Sequence, residues 1–140
     1  MPRIKIELPE KHLATVEIAV RITDINYGNH LGNDAIVGLI HEARMRWLQQ
    51  HQWTEINCAG TGLIMAGLAV EFRQEAFYGD LLDIEVLGGA FSRIGFDLAY
   101  RITNRRTQAV TALATTNMVC FDYTLRRPAH LPEALQKVLS

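Results

Sequence analysis

The chain has 140 residues, of which 49% are hydrophobic and 21% charged, and these values suit one compact domain with a sizeable core. Its formal net charge is −1, with 14 basic and 15 acidic residues, so it lacks the basic surface expected of a protein that binds nucleic acid or an anionic membrane. No apolar run approaches the roughly 20 residues that a transmembrane helix requires. We therefore predict a single domain over residues 1–140, with no nucleic-acid partner and no membrane partner.

Cysteine and histidine are too few and too scattered for a disulfide framework or a metal centre. The two cysteines, Cys58 and Cys120, are interpreted as buried apolar residues with inert thiols. The histidines show no metal-ligand spacing among themselves or with the cysteines, so we predict no metal site and no cofactor. The N-terminal segment lacks the apolar stretch of a secretory signal, and we expect a cytoplasmic protein.

The hydrophobic pattern predicts an early strand followed by one long helix. Residues 15–24, TVEIAVRITD, alternate apolar and polar side chains, which is typical of a strand with one buried face. Residues 33–50, NDAIVGLIHEARMRWLQQ, place apolar side chains at helical spacing, and such a helix would run about 27 Å at 1.5 Å per residue. Asn33 or Asp34 is the predicted N-cap, because the side-chain oxygen of either residue can accept a hydrogen bond from a first-turn amide.

The second half of the chain reads as a series of strands. Three alternating runs end at turn-like sequences, at residues 77–80, 88–89 and 104–108. A long apolar run over residues 109–123 predicts a last strand, and residues 126–139 predict a turn and a short helix. Short turns between these strands require antiparallel neighbours. One long helix and one antiparallel sheet of about five strands can bury their apolar faces only against each other, which predicts a two-layer α+β domain.

An unusual set of polar side chains lies between the early strand and the helix, in residues 23–34, TDINYGNHLGND. Asn, Asp and Gly are favoured in turns, so part of this segment is explained as a turn. A turn alone does not require His30, whose imidazole can take or give a proton near neutral pH. The N-terminus of the helix beside it offers free amides and a positive dipole, which suit a carbonyl oxygen that acquires negative charge. The segment is therefore a candidate active site.

Glu42 is a second candidate on the helix. It lies on a stripe with Ala35 and Gly38, where another backbone could approach closely. The alternative is a surface ion pair with Arg46 four residues on, which is a favourable spacing in a helix. The sequence leaves both interpretations open.

The order and spacing of these segments resemble the hotdog-fold thioesterases of the 4-hydroxybenzoyl-CoA thioesterase type. In that family a first strand ends in a segment like D-x-D-x-x-G-H-V-N-N that leads into the long central helix, and residues 24–34, DINYGNHLGND, are similar to it. The following HEAR is similar to the family's E-E-A-R helix segment, and VEFRQEAFYGDLLDIEV and MVCFDYTLRRPAHLP resemble its later strands. The resemblance covers residues 13–135 and implies the hotdog fold, a long central helix packed on an antiparallel sheet.

Carried over residue by residue, the resemblance implies an acyl-CoA thioesterase. Asn26 stands where many members have the catalytic carboxylate, and this departure matters because an amide orients water or thioester but cannot act as a base. Asp24 or Glu42, together with His30, would activate or position the water, and amides around residues 32–35 would stabilise the oxyanion. The predicted catalytic residues are thus Asp24, Asn26, His30 and Glu42, and the predicted substrate-binding residues are Tyr27, Asn29, Asn33 and Asp34.

The resemblance also implies a homodimer or homotetramer whose sheets join edge to edge, with the acyl-CoA or acyl-carrier substrate bound where subunits meet. Two alternatives remain open from the sequence. A non-catalytic module that binds acyl-CoA or an acyl carrier would explain Asn26 in place of the acid. A hotdog enoyl-CoA hydratase carries D-x-N-P-x-H, which shares Asp24, Asn26 and His30 with this chain, although here the proline is absent and one extra residue precedes the histidine.

Overall fold

The computed structural model describes residues 4–140 as one antiparallel sheet, one long helix and one short helix. The five long strands are β1 (Lys11–Ala19), β2 (Gly62–Phe72), β3 (Leu81–Phe91), β4 (Gly95–Asn104) and β5 (Ala109–Asp122). They lie in the order β1–β3–β4–β5–β2, and a two-residue strand, β6 (Arg127–Pro128), pairs with β5. The helices are α1 (Asn33–Gln50) and α2 (Glu133–Leu139). The predicted α+β architecture is confirmed, and β6 adds a sixth strand to the five expected.

Helix α1 packs on one face of the sheet, which we call the inner face. Its apolar residues recur every three or four positions, so they form one stripe, and its members Ile40, Ala43 and Trp47 are almost fully buried. On the sheet, the alternation of side chains turns every second residue of β3, β4 and β5 toward this stripe. The Trp47 ring meets Phe96 of β4 edge to face, with 6.4 Å between centroids.

A charged residue, Arg44, is also buried on this face of α1. Its Nη1 donates to Tyr100 Oη (3.2 Å), which in turn lies 2.9 Å from Thr116 Oγ1. Its Nε donates to the Glu55 carboxylate (3.1 Å) in the loop after α1. A buried guanidinium is tolerated only when it is paired and hydrogen-bonded, and this network satisfies that condition. The network fixes the loop after α1 to the helix and to the sheet.

Strand β1 ends earlier than the predicted strand over residues 15–24. Ile22–Asp24 instead form a single turn of 3-10 helix, and Ile22 is exposed. The cause is local, because the Asp24 carboxylate accepts a hydrogen bond from the Arg21 backbone N–H (2.9 Å) and closes a turn. The prediction for the end of β1 was therefore wrong.

Strand β3 also differs from its prediction at one end. It continues past the glycine pair at residues 88–89 to Phe91, where the sequence predicted a turn. The pairing with β4 shifts register between Gly88 and Phe91, so the glycines accommodate an irregularity inside the strand.

Helix α1 has the predicted bounds but a different N-cap. Gly32, in extended conformation, is the N-cap residue, no side chain caps the helix, and Asn33 is the first helical residue. The Gly32 N–H donates to the Asp24 carbonyl (2.9 Å), and the Ala35 N–H donates to the Gly32 carbonyl (3.2 Å). The start of α1 is thus held by backbone bonds to the preceding loop rather than by Asn33 or Asp34.

The turn between β2 and β3 is held by the buried carboxylate of Asp80. This carboxylate accepts hydrogen bonds from Asn104 Nδ2 (2.8 Å) and the Phe77 N–H (2.9 Å), and forms a bidentate pair with Arg106 (2.8 and 3.0 Å). Hydrogen bonding to the Arg106 guanidinium holds the pKa of Asp80 well below its usual range. Gly79 adopts a φ of +85°, which confirms the predicted turn.

Asp80→Asn is expected to lower the free energy of unfolding by about 2 kcal/mol near neutral pH, because an amide loses the charge-assisted bonds to Arg106. The folded-state pKa of Asp80 is depressed, so its stabilisation is present above the unfolded carboxyl pKa of about 3.9 and is lost as the pH falls toward the folded value. Urea unfolding of both proteins at about pH 7 and about pH 3 should show the difference narrowing at the lower pH. An equal difference at both pH values would contradict this role, and Glu133→Gln, on the exposed face of α2, serves as the control.

Candidate active site

Residues 25–31 form a compact turn before α1, and Asn26 organises it. Asn26 Oδ1 accepts hydrogen bonds from the Gly28 N–H (2.9 Å) and the His30 N–H (3.4 Å), while the Asn26 N–H donates to the His30 carbonyl (2.9 Å). Asn29 adopts a φ of +67°, a conformation that asparagine tolerates better than most residues. The side-chain oxygen of Asn26 is therefore engaged by the backbone of its own turn.

The imidazole of His30 is oriented by a neighbouring carbonyl. His30 Nδ1 lies 3.1 Å from the Leu31 carbonyl oxygen, which can only accept, so Nδ1 is the protonated nitrogen. In the neutral ring Nε2 then carries the free lone pair, and it lies 3.9 Å from Glu75 Oε1. The side chain is 31% exposed, so a molecule in the space before it can reach Nε2.

The space before His30, which we call the His30 cavity, has a volume of about 170 Å³. It lies between the start of α1, the segment that follows β2, and β5. A backbone hydrogen bond from the Leu31 N–H to the Ala76 carbonyl (2.8 Å) joins two of its walls. Six of its ten lining residues are polar or charged, and four are apolar. The lining residues are His30, Leu31, Asn33, Ile36, Phe72, Arg73, Gln74, Glu75, Ala76 and Thr111.

A second cavity, of about 430 Å³, lies between β1 and α1 and contains the predicted acidic residues Asp24, Asp34 and Glu42. The Asp24 carboxylate accepts hydrogen bonds from the Arg21 backbone (2.9 Å) and guanidinium (3.3 Å). Glu42 accepts from Arg46 Nε (2.8 Å), so the ion pair offered as the alternative for Glu42 is present. In this chain neither Asp24 nor Glu42 lines the His30 cavity.

The predicted site residues are thus divided among three places. His30 and Asn33 line the His30 cavity, whereas Asp24, Asp34 and Glu42 line the second cavity. Asn26 lies in the turn that carries His30. Tyr27 and Asn29, at the tip of that turn, are exposed, and Tyr27 is fully so. Their roles in binding substrate stay predictions.

Eight of the ten residues that line the His30 cavity were not among the predicted site residues, and Glu75 and Thr111 are two of them. Glu75 follows an alternating run and reads as an exposed residue at the end of a strand, and Thr111 reads as part of an apolar strand. Thr111 is only 2% exposed, and its hydroxyl has no hydrogen-bond partner within residues 4–140. No local sequence pattern marks either residue as part of a site, because each reaches the cavity through contacts with distant parts of the chain.

The two cysteines do not supply a nucleophile. Both are buried free thiols, as predicted. Burial raises the pKa of Cys58 to about 12 and that of Cys120 to about 11, so both remain protonated at neutral pH. Within the described residues, no group of three or more His, Cys, Asp or Glu side chains could hold a metal ion. That part of the chain also contains no helix long and apolar enough to cross a membrane.

Comparison with known families decides the class of this protein. The family model of the thioesterase-like superfamily matches residues 20–139. The chain belongs to this superfamily. Membership confirms both the resemblance drawn from the sequence and the predicted enzyme class, a thioester hydrolase. Among curated protein sequences, none matches the chain.

Solved structures of thioesterases share the fold. The 1,4-dihydroxy-2-naphthoyl-CoA thioesterase from Synechocystis is 23% identical and has a TM-score of 0.80 over 89% of this chain and 93% of that one. The DHNA-CoA thioesterase from Staphylococcus aureus is 15% identical, with a TM-score of 0.77 over 89% and 84%. A thioesterase-superfamily protein from Jannaschia is 14% identical, with a TM-score of 0.80 over 89% and 79%. At these identities the likeness shows the fold, and it confirms the predicted hotdog fold.

Substitutions at Asn26 test whether its side chain supports hydrolysis by holding the turn that carries His30. Asn26→Ala removes the acceptor for the Gly28 and His30 amides and should lower the rate of thioester hydrolysis about tenfold, through loss of His30 positioning. Asn26→Asp keeps an oxygen in the same place and should retain the rate within a factor of about three. Steady-state rates of thiol release measure both. Full activity in Asn26→Ala would show that the turn does not need this side chain.

Proposed function

We propose that this chain hydrolyses acyl-CoA thioesters in the His30 cavity. The observation that carries the proposal is the placement of His30 Nε2, a free base in the neutral ring, beside the N-terminus of α1. The Gly32 and Ala35 amides are already bonded to carbonyls of the preceding loop. The amides of Asn33 and Asp34 lie in the first turn, where a helix leaves its N–H groups without intrahelical partners. They are the donors available to an oxyanion.

Hydrolysis then proceeds by direct attack of water. The water oxygen adds to the thioester carbonyl carbon while Nε2 of His30 takes one of its protons. The carbonyl oxygen becomes an oxyanion, which accepts hydrogen bonds from the amides at the start of α1. The intermediate collapses as the C–S bond breaks, and the imidazolium returns the proton to the leaving sulfur. The products are the free acid and the CoA thiol, and no covalent enzyme intermediate is required.

The apolar residues of the cavity suit the acyl group of such a substrate. Ile36 on α1 and Phe72 at the end of β2 line the same space as His30. CoA is proposed as the carrier because two of the structural neighbours are named as CoA thioesterases, one of 1,4-dihydroxy-2-naphthoyl-CoA and one of DHNA-CoA. The two alternatives predict different reactions. A non-catalytic module would bind acyl-CoA without hydrolysing it, and a hydratase would add water to enoyl-CoA without releasing a thiol.

We further propose a cytoplasmic homodimer formed through β2. This strand lies at one edge of the sheet and exposes Met65, Leu68 and Phe72, each about 40% accessible. An edge strand with exposed apolar side chains is a template for pairing with another chain. Antiparallel pairing of two β2 strands about a two-fold axis would join the sheets of two copies. A homotetramer would require a second, different contact.

Release of free thiol from a panel of acyl-CoAs tests the proposed function. We expect hydrolysis with a clear optimum among short, medium, long and aromatic acyl groups. His30→Gln removes the base and should lower kcat at least about 100-fold, whereas His130→Gln, at an exposed position between β6 and α2, should leave it unchanged. Absence of thiol release from both the wild-type chain and His130→Gln would contradict the proposal. Loss of enoyl-CoA absorbance without thiol would favour a hydratase, and protection against heat by acyl-CoA without turnover would favour a binding module.

Sedimentation equilibrium tests the proposed dimer. The wild-type chain, of 15.8 kDa, is expected to sediment with twice that mass. Leu68→Glu places a charge on the exposed edge of β2 and should shift the protein toward the monomer. Leu125→Glu, at an exposed apolar residue in the β5–β6 turn, is the matched control and should remain dimeric. A stable dimer in Leu68→Glu would place the interface elsewhere.

A further inference from the structure

The acidic residues that the sequence pointed to do not meet His30 in this chain. Asn26 is an amide whose oxygen is bonded to its own turn. Asp24 is bonded to Arg21, and Glu42 to Arg46, and both line the second cavity. Within the described part of the chain, Glu75 is the one carboxylate among the residues that line the His30 cavity.

The position of Glu75 is fixed by the backbone on both sides of it. Before it, the N–H groups of Arg73 and Gln74 both donate to the Thr111 carbonyl (2.9 and 3.2 Å). After it, the buried Ala76 accepts the hydrogen bond from Leu31 (2.8 Å). These contacts fix the backbone of Glu75 beside the cavity, and its side chain, which is 63% exposed, places Oε1 3.9 Å from His30 Nε2.

The separation between these two groups suits a water molecule. At 3.9 Å, Nε2 and Oε1 are too far apart for a direct hydrogen bond, but one water can bond to both. Such a water would donate one hydrogen to Nε2 and the other to the carboxylate, which leaves a lone pair free to attack. The other charged group of the cavity, Arg73, is paired with Glu71 and does not neutralise Glu75.

The hydroxyl of Thr111 is a second candidate for a hydrogen bond to the substrate. It is buried in the cavity wall without a hydrogen-bond partner among residues 4–140, although nearly all buried polar groups have one. A buried hydroxyl without a partner is unfavourable, and a bound acceptor would offset that cost. A thioester carbonyl is an acceptor of this kind.

We propose that Glu75 and Thr111 complete the hydrolytic site around His30, an inference that rests on the proposed thioesterase function. Glu75 is a positioning residue: it holds the water against Nε2 and stabilises the imidazolium that forms when the water proton moves to His30. It thereby takes the place of the carboxylate that is absent at Asn26. The Thr111 hydroxyl donates a hydrogen bond to the thioester carbonyl and binds the substrate.

Glu75→Gln keeps the shape of the side chain and removes its charge. It is expected to lower kcat for thiol release about tenfold with KM unchanged, because the lost interaction is strongest in the transition state. Since Glu75 acts through His30, the double variant Glu75→Gln/His30→Gln should be no slower than His30→Gln alone. Glu133→Gln, an exposed glutamate on α2, is the matched control. A further loss in the double variant would overturn the role of Glu75.

Thr111→Val is nearly isosteric and removes only the unpaired hydroxyl. KM for acyl-CoA is expected to rise about tenfold, since the hydrogen bond is made to substrate and transition state alike. The unfolding midpoint should stay the same or rise, because a buried unsatisfied group has been removed, whereas a structural role would lower it. Thr111→Ser should restore KM, and Thr103→Val on the neighbouring strand β4 should change nothing.

The outcomes separate this inference from the function on which it rests. Wild-type rates in both Glu75→Gln and Thr111→Val, with His30→Gln inactive, would overturn the inference and leave the thioesterase intact. Absence of thiol release from the wild-type protein would overturn both.

Discussion

The packing of α1 against the inner face of the sheet is the constraint that fixes the position of the helix start and of the His30 cavity. Trp47 and its neighbours occupy the centre of the core, so the helix cannot slide or rotate without exposing them. The buried Arg44, bonded to Tyr100, fixes the same face of the helix to the sheet. Because the helix is held in this way, the start of α1 lies beside the segment that follows β2. The backbone hydrogen bond from Leu31 to Ala76 joins the start of the helix to that segment. The His30 cavity is the space left at that junction.

Under the proposed function, the departure at Asn26 changes which acidic group can assist His30. In an enzyme with a carboxylate at this position, the acid comes from the same turn as the histidine. Here the amide closes the turn, and the acidic group nearest His30 comes from Glu75, in a segment supported by the Asp80 turn. The proposed chemistry then depends on the contact between two loops as well as on one motif. The hydroxyl of Thr111, buried without a partner in the described chain, agrees with a cavity built to hold a polar ligand.

The helix and strands that a periodic hydrophobic pattern marks could be predicted from the sequence. The apolar stripe of α1 gave its bounds, and alternation located the long strands, because periodicity directly reports which face is buried. Periodicity failed at Ile22–Asp24, where the Asp24 side chain bonds the Arg21 backbone and ends β1 early. It also could not show that Glu75 meets His30, since that contact depends on how two loops close on each other. The motif predicted a site around His30, and tertiary packing determined which acidic residue lies next to that histidine.

In the proposed function the thioester binds in the His30 cavity and not in the second cavity, where Asp24 and Glu42 lie. The most direct measurement is a nuclear magnetic resonance titration of the isotope-labelled protein with a non-hydrolysable thioether analogue of an acyl-CoA. Binding in the His30 cavity should place the largest shifts on the His30 imidazole and on the amides of Asn33, Glu75 and Ala76. Shifts concentrated at Gly38, Glu42 and Arg46, with His30 unchanged, would contradict it.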